Sequence, residues 1–294
     1  MVSIKKKTIS NKTYHYLQHT FRINGKVHYK EKYIGEKIPK DIEKKKKEFQ
    51  NELYQKLWYD KFDKIKENFQ NNQRKMSEKI KEKELETFAV KFTYTTNKME
   101  GSTLTHRETA LLLEKGITPT KRPIEDVKEA ELHRKVFFEM LKYKKNITIA
   151  TINHWHKELF KETKIDIAGM IRNYNVGISG SKYIPPTTIE LEILIREFFN
   201  WYNQNKEKIH PVHLAALVHL KFVSIHPFGD GNGRISRLLM NYVLNKKNYP
   251  MLVIDYSKRE SYYNALEKSQ IDNEPNSFIL WFFKRYVKEY EMYL

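Results

Sequence analysis

A chain of 294 residues with 40% hydrophobic content and a net charge of +18 can bury one substantial core plus an accessory unit. The absence of cysteine excludes disulfides, zinc–thiolate sites and thiol catalysis, and none of the eleven histidines falls into a metal motif such as HExxH. No run of 18 apolar residues exists and the start, MVSIKKKTIS, lacks an apolar signal core, which predicts no membrane span and a cytoplasmic location.

Residues 1–40 read as a basic β-hairpin. Thr13 to Ile23 and Lys26 to Ile34 are aromatic and β-branched runs joined by Asn24-Gly25, the strongest short hairpin signal. Met1 to Val90 holds 23 basic and 13 acidic residues, a net +10 in under a third of the length. Two readings stay open for this excess: a grip on the phosphate backbone of a nucleic acid through residues 1–40, or the solvated face of a Lys-rich chain.

Residues 41–87 form an amphipathic helical segment. Ile42, Phe49, Leu53, Leu57, Phe62, Ile65, Phe69, Met76 and Ile80 recur at spacings of three, four or seven, which predicts one long helix or two in series. The stripe must meet either the rest of the chain or a second copy, and a homodimer is one expectation. Further on, Thr105-His106-Arg107-Glu108 reads as a capping box opening a helix that Gly116 closes, which leaves Glu100 at the end of the preceding helical segment.

The chemistry concentrates between His226 and Arg237, HPFGDGNGRISR. Val212 to Ile225 and Leu238 to Leu244 are apolar enough to be buried helices, so this polar turn joins two core elements. Pro227 cannot continue the incoming helix. Gly229, Gly231 and Gly233 let backbone N–H groups approach an oxygen, and the outgoing helix, starting near Gly233, aims its free amides and positive dipole end into the loop. Arg234 and Arg237 lie in that first turn, where the dipole disfavours cations. Two arginines there make sense if a di- or triphosphate joins them. Asp230 is the one acid available for Mg²⁺ beside phosphate oxygens, and His226 can accept a proton near neutral pH. Neither a Walker loop nor the dinucleotide fingerprint has this spacing.

This stretch closely resembles the signature of the Fic (filamentation induced by cAMP) family, HPFx(D/E)GNGRxxR, at every specified position: His226, Pro227, Phe228, Asp230, Gly231, Asn232, Gly233, Arg234 and Arg237. The resemblance implies a mainly α fold, a Fic-type helical bundle with a short β-hairpin flap, to which this chain adds the N-terminal β-hairpin and the long amphipathic helix. It also implies Mg²⁺-dependent transfer of AMP from ATP to a Ser, Thr or Tyr hydroxyl of a target protein. On that reading His226 is the base, Asp230 binds Mg²⁺, Asn232 and the amides of Gly231 and Gly233 hold the phosphates, and Arg234 and Arg237 neutralise them. A phosphotransferring relative has lysine where this chain has Gly233, so the glycine favours nucleotidyl transfer.

Three further segments extend the resemblance over residues 88–294. Thr96-Asn97-Lys98-Met99-Glu100-Gly101 resembles the inhibitory pattern (S/T)xxxE(G/N), with Thr96, Glu100 and Gly101 at its specified positions, whose glutamate pairs with the last signature arginine, here Arg237. Residues 170–186, including Val176, Gly177 and Ile178, resemble the flap, whose open edge pairs with an extended target segment. Arg259 to Glu267 resembles the adenosine-pocket segment, with Tyr262 and Tyr263 as contacts, although Gln270 stands where several members have asparagine. Two alternatives to transfer remain: removal of AMP at the same site with Glu100 acting on water, and a nucleic-acid-binding regulator whose Fic core senses nucleotide.

Overall fold

Strand β1 (Val2–Ile9) pairs antiparallel with β2 (Lys12–Ile23), which pairs antiparallel with β3 (Lys26–Gly35), giving the sheet order β1-β2-β3. The computed structural model describes residues 2–23 and 26–294, so the Asn24-Gly25 turn expected from the sequence lies outside the described residues. The expected two-stranded hairpin is corrected to three strands. Lys5-Lys6-Lys7 hides the alternation of β1, in which Val2 and Ile4 point to the core face and Ser3 between them points away. Ser10 and Asn11, at φ 50° and 62°, make the two-residue turn between β1 and β2, where both central residues take the left-handed region that matches strand twist.

Helix α1 (Ile42–Tyr54) covers one face of this sheet, with Phe49 and Leu53 buried together with Val2 and Leu17, and Ile4, Ile34 and Ile42 at the margin. A π-helical turn, Gln55–Tyr59, leads into α2 (Asp60–Lys75), and Ser77 then caps α3 (Glu78–Met99). The amphipathic segment is therefore several helical pieces in series. By contacts the chain divides into two units, Met1–Lys64 and Ile65–Leu294. Much of the apolar stripe is covered from within the chain: Phe49 and Leu53 meet the sheet in the first unit, and in the second Phe69 packs edge-on against Tyr290 and Tyr293, whereas Ile80 is 51% exposed.

The second unit is helical. After α3 come α4 (His106–Lys115), α5 (Ile124–Lys142), α6 (Ile149–Phe160), α7 (Thr188–Asn205), α8 (Pro211–Ile225), α9 (Asn232–Lys246), α10 (Arg259–Ile271) and α11 (Asn276–Glu289). Helix α8 is apolar nearly all round because it is central: α7, α9 and α11 pack on it, while α3, α5 and α6 pack on α9. Both flanks of the HPFGDGNGRISR turn are thus buried helices, as their composition predicts. The Thr105–Glu108 capping box opens α4 and Gly116 closes it at φ 66°. Among the described residues no helix is long and apolar enough to cross a membrane.

Residues 170–186 contain no strand, which corrects the expected β-hairpin flap. The Arg172 guanidinium reaches the carbonyls of Tyr174 (2.9 Å) and Pro186 (2.6 Å), gathering both ends of the segment through a side chain instead of a ladder. Pro185 and Pro186 supply no donors. Gly180, at φ 75°, turns the tip, and Glu267 of α10 accepts from Ser181 Oγ (3.0 Å) and the Lys182 N–H (2.5 Å).

Candidate active site

Helix α8 ends where His226 takes a left-handed conformation, φ 51° and ψ 57°, and α9 begins after Gly231, φ 78°. A side chain at Gly231 would place its Cβ 2.5 Å from the Phe160 ring, so glycine is required there on both counts. The loop between is braced from inside. Asn232, buried, accepts from the Phe228 N–H (2.9 Å) and donates to the Phe228 carbonyl (2.8 Å). Its amide is therefore a staple for the loop at the edge of the cavity described below.

Two residues that the sequence reading gave no role complete the brace. His156 of α6 stacks on Phe228 at 3.8 Å and 14° and bridges Gly169 to Asp230. Its Nδ1 accepts from the Gly169 N–H, so the proton sits on Nε2 and is donated to the Asp230 carbonyl, 2.9 Å away. Burial holds this imidazole neutral, with its pKa down to about 4. Arg172 donates to the His226 carbonyl (2.8 Å) and its N–H to the Pro227 carbonyl (3.0 Å), which ties the flap to the loop.

An open cavity of about 730 Å³ lies over the start of α9, within the range of small-ligand sites. His226, Asp230, Gly231, Gly233 and Arg237 face it from one side, Glu100 and Gly101 from the end of α3, and Gly177, Ile178 and Ser179 from the flap. The first amides of α9 have no intrahelical acceptor, so Asn232, Gly233 and Arg234 offer N–H groups at the positive end of the helix. His226 Nδ1 lies 3.2 Å from the Val223 carbonyl. Donation there leaves Nε2 with its lone pair. Burial lowers the His226 pKa, and the neighbouring Arg172 lowers it further against the pull of Glu100 and Asp230.

Asp230 sits in a four-membered ion cluster. Burial raises its pKa, but Arg234 (3.4 Å) and Lys164 (2.6 Å) outweigh burial and hold the carboxyl down at about 2. Glu129 of α5 closes the cluster through Arg234 and through Lys164 (3.1 Å). Arg234 is 2% exposed and lies over the Phe160 ring, 4.5 Å from its centroid. It stands behind Asp230 and outside the cavity lining, where its side chain orients the carboxylate. Glu129 and Lys164 carried no sequence signal, because they lie in an ordinary helix and an ordinary loop, 101 and 66 residues before Asp230.

Arg237 is likewise 2% exposed but borders the cavity. Its Nε donates to Thr96 Oγ1 (2.6 Å), one terminal nitrogen reaches the Thr96 carbonyl (3.3 Å), and the same nitrogen pairs with the Glu100 carboxylate. Burial alone would lower the Arg237 pKa. The Glu100 charge reverses that and raises it. Glu100 caps α3, so the helix end presents its carboxylate to the arginine, and Gly101 follows at φ 100°. Of the aromatic pair, Tyr262 is 1% exposed with its hydroxyl 2.9 Å from His219 Nε2, a core position bordering the cavity, while Tyr263 is 43% exposed and donates to the Met99 carbonyl (3.3 Å). Gln270 lines the same wall and donates to Ser224 Oγ (3.2 Å). Val176 is partly buried beside the cavity-lining Gly177 and Ile178.

Residues 146–244 match the model of the Fic/DOC family. "Protein adenylyltransferase Fic" of Drosophila ananassae is 35% identical over 178 residues, covering 59% of this chain and 35% of that protein. Its counterpart in Drosophila melanogaster is 36% identical over 173 residues, 58% of this chain and 35% of that one. The chain thus spans about a third of the length of these curated relatives. Among solved structures, a Fic-domain-containing signalling protein from Bacteroides thetaiotaomicron superposes with a TM-score of 0.68 at 26% identity, over 78% of this chain and 95% of that one. Fic-1 (residues 134–508) from C. elegans shares the fold, with a TM-score of 0.68 at 23% identity over 86% and 75% of the two chains.

Proposed function

We propose, from the match of residues 146–244 to the Fic/DOC family model, that the protein is an adenylyltransferase that moves AMP from ATP to a Ser, Thr or Tyr hydroxyl of a target protein and is held in check by Glu100. One observation carries the reading: a proton acceptor, a charged carboxylate, the amides of a helix start and an arginine all border one cavity, and the arginine is already occupied by a carboxylate. The curated relatives named protein adenylyltransferases support the reaction class.

The triphosphate lies over the start of α9, where the Gly233 and neighbouring amides neutralise phosphate oxygens and Arg237 takes the terminal phosphate. His226 Nε2 receives the proton of the target hydroxyl as its oxygen bonds to the α-phosphorus, and the bond from that phosphorus to the bridging oxygen breaks to release diphosphate. Asp230 would hold Mg²⁺. A single ionised carboxylate beside phosphate oxygens suits an ion that keeps most of its waters, and among the described residues no larger ligand cluster competes for it. When bound, that ion offsets the charge of the leaving diphosphate. The flap segment Val176–Gly177–Ile178 has no ladder partner and offers main-chain groups to an extended target segment.

With Glu100 on Arg237, a terminal phosphate meets an occupied guanidinium and a like charge. Removal of the carboxylate therefore exposes the activity. After incubation of the Glu100→Gly variant with each nucleoside triphosphate, mass spectrometry should find the mass of one AMP added from ATP, and none when His226→Ala is combined with it. Equal labelling by the single and double variants would rule His226 out as the base. The Glu100 carboxylate opens onto the same cavity as His226, which supports a second reading in which it orients water for removal of AMP. That reading requires AMP release from a modified target to stop in Glu100→Gly.

A further inference from the structure

We propose that the exposed face of the N-terminal sheet is a docking surface for double-stranded nucleic acid. Strand register sorts the side chains into two faces. Leu17 pairs with Ile4 and Lys32, and the Leu17 face is covered by Phe49 and Leu53 of α1. The opposite face carries Lys5 across from Tyr16, Lys7 across from Tyr14, Tyr33 across from Tyr16, and Tyr29 across from Thr20. Tyr29 and Tyr33 are 61% and 52% exposed, and the Lys7 ammonium lies over the Tyr16 ring at 4.7 Å.

Charge points to the occupant. On this face the register places Lys5, Lys7 and Lys12 against one acid, Glu31. That carboxylate is already engaged by Lys7 (2.5 Å) and by Gln18 (3.0 Å), so the face has no open negative charge of its own among the described residues. A face that is merely solvated mixes both signs. Here lysines alternate with phenols, and ammonium groups together with phenolic hydroxyls suit phosphate oxygens. Size agrees as well. Three strands at about 4.8 Å spacing span roughly 10 Å, less than the about 12 Å width of the major groove. The twelve residues of β2 reach roughly 40 Å, comparable to one turn of duplex, about 34 Å. An acidic membrane surface would also meet the charge, but groove-sized width and hydroxyl-bearing aromatics match the duplex better.

The test uses the full chain and a labelled duplex of arbitrary sequence, with affinity measured by fluorescence anisotropy over a salt series. Binding should weaken steeply with salt, and Lys5→Ala with Lys12→Ala should flatten the log–log slope by about two units, since each lost phosphate contact removes about 0.9. Tyr29→Ala with Tyr33→Ala should weaken duplex binding and leave the far-ultraviolet circular dichroism and melting curve at the wild-type level, which report an intact fold. The proposal is overturned if the lysine variant keeps the wild-type slope, if the wild type shows only weak, salt-insensitive binding, or if phosphatidylserine vesicles outcompete the duplex.

Discussion

The carboxylate of Glu100, at the cap of α3, is ion-paired with the guanidinium of Arg237, 137 residues further along the chain and inside α9. Arg237 is also held by the Thr96 side chain and carbonyl, four residues before the cap. One helix end therefore grips the arginine at three points, and the guanidinium bordering the cavity is shared with a resident acid.

Loss of that acid should separate ATP from ADP. Two unit charges about 5 Å apart repel by about 3 kcal/mol at an effective dielectric of about 20, which is on the order of a hundredfold in affinity. Calorimetry on Glu100→Gly should show ATP binding tightened by at least about tenfold and ADP binding little changed. Equal gains for both nucleotides would mean that Glu100 does not oppose the γ-phosphate.

The acid limb of catalysis should lie low. Burial, followed by Arg172, depresses the His226 pKa below 6.5, so the imidazole is unprotonated and competent throughout the neutral range. In the Glu100→Gly background kcat/KM should be level above pH 6.5 and fall only below it. A midpoint near pH 7.5 would contradict the assignment of His226 as the base.

Acid should also unfold the protein before its carboxylates titrate. His133 and His156 are driven down to about 3 and about 4, chiefly by burial, whereas in the unfolded chain they titrate near 6.5. The unfolded state then binds more protons between about pH 6.5 and 4, so stability rises with pH across that window and is lost on acidification. Each such histidine contributes a slope of about 1.4 kcal/mol per pH unit. Melting temperature measured from pH 7 to 4.5 should fall steeply, and His133→Asn should reduce the slope by one histidine's share. A flat profile over that range would refute the burial argument.

Lys164 competes for Asp230. Its ammonium lies 2.6 Å from that carboxylate and 3.1 Å from Glu129, so a divalent ion arriving at Asp230 can displace it toward Glu129. Because the pair is a third exposed, its worth is about 1 kcal/mol or less. Lys164→Ala should tighten Mn²⁺ binding, followed by paramagnetic resonance, by up to about fivefold. Unchanged Mn²⁺ affinity would show that the lysine does not guard the carboxylate.

The loop from His226 to Arg237 was legible in the sequence because its helix ends, glycines and charges are contiguous, and each constrains the next within one turn. The groups that tune it were not. Glu129, His156 and Lys164 come from α5, α6 and the loop after α6, where single polar residues look like any helix surface until packing turns them inward. The same limit explains Arg234 and Asn232. Their positions in the signature were plain, but which way each side chain faces depended on Glu129 and on the Phe228 backbone. At the flap, Gly180-Ser181 and flanking β-branched residues imitate a hairpin, and it is Arg172, seated between distant carbonyls, that satisfies the backbone in place of a ladder. Strand β1 was missed for a local reason, since three consecutive lysines obscure a two-residue period.

Because the acid that occupies Arg237 is carried on α3, a helix packed against α9 inside the same folded unit, its hold is a unimolecular equilibrium. Dilution cannot release it, and no subunit has to leave. Under the proposed autoinhibition, relief requires competition for a single guanidinium or a pull on one helix end, and should not depend on protein concentration.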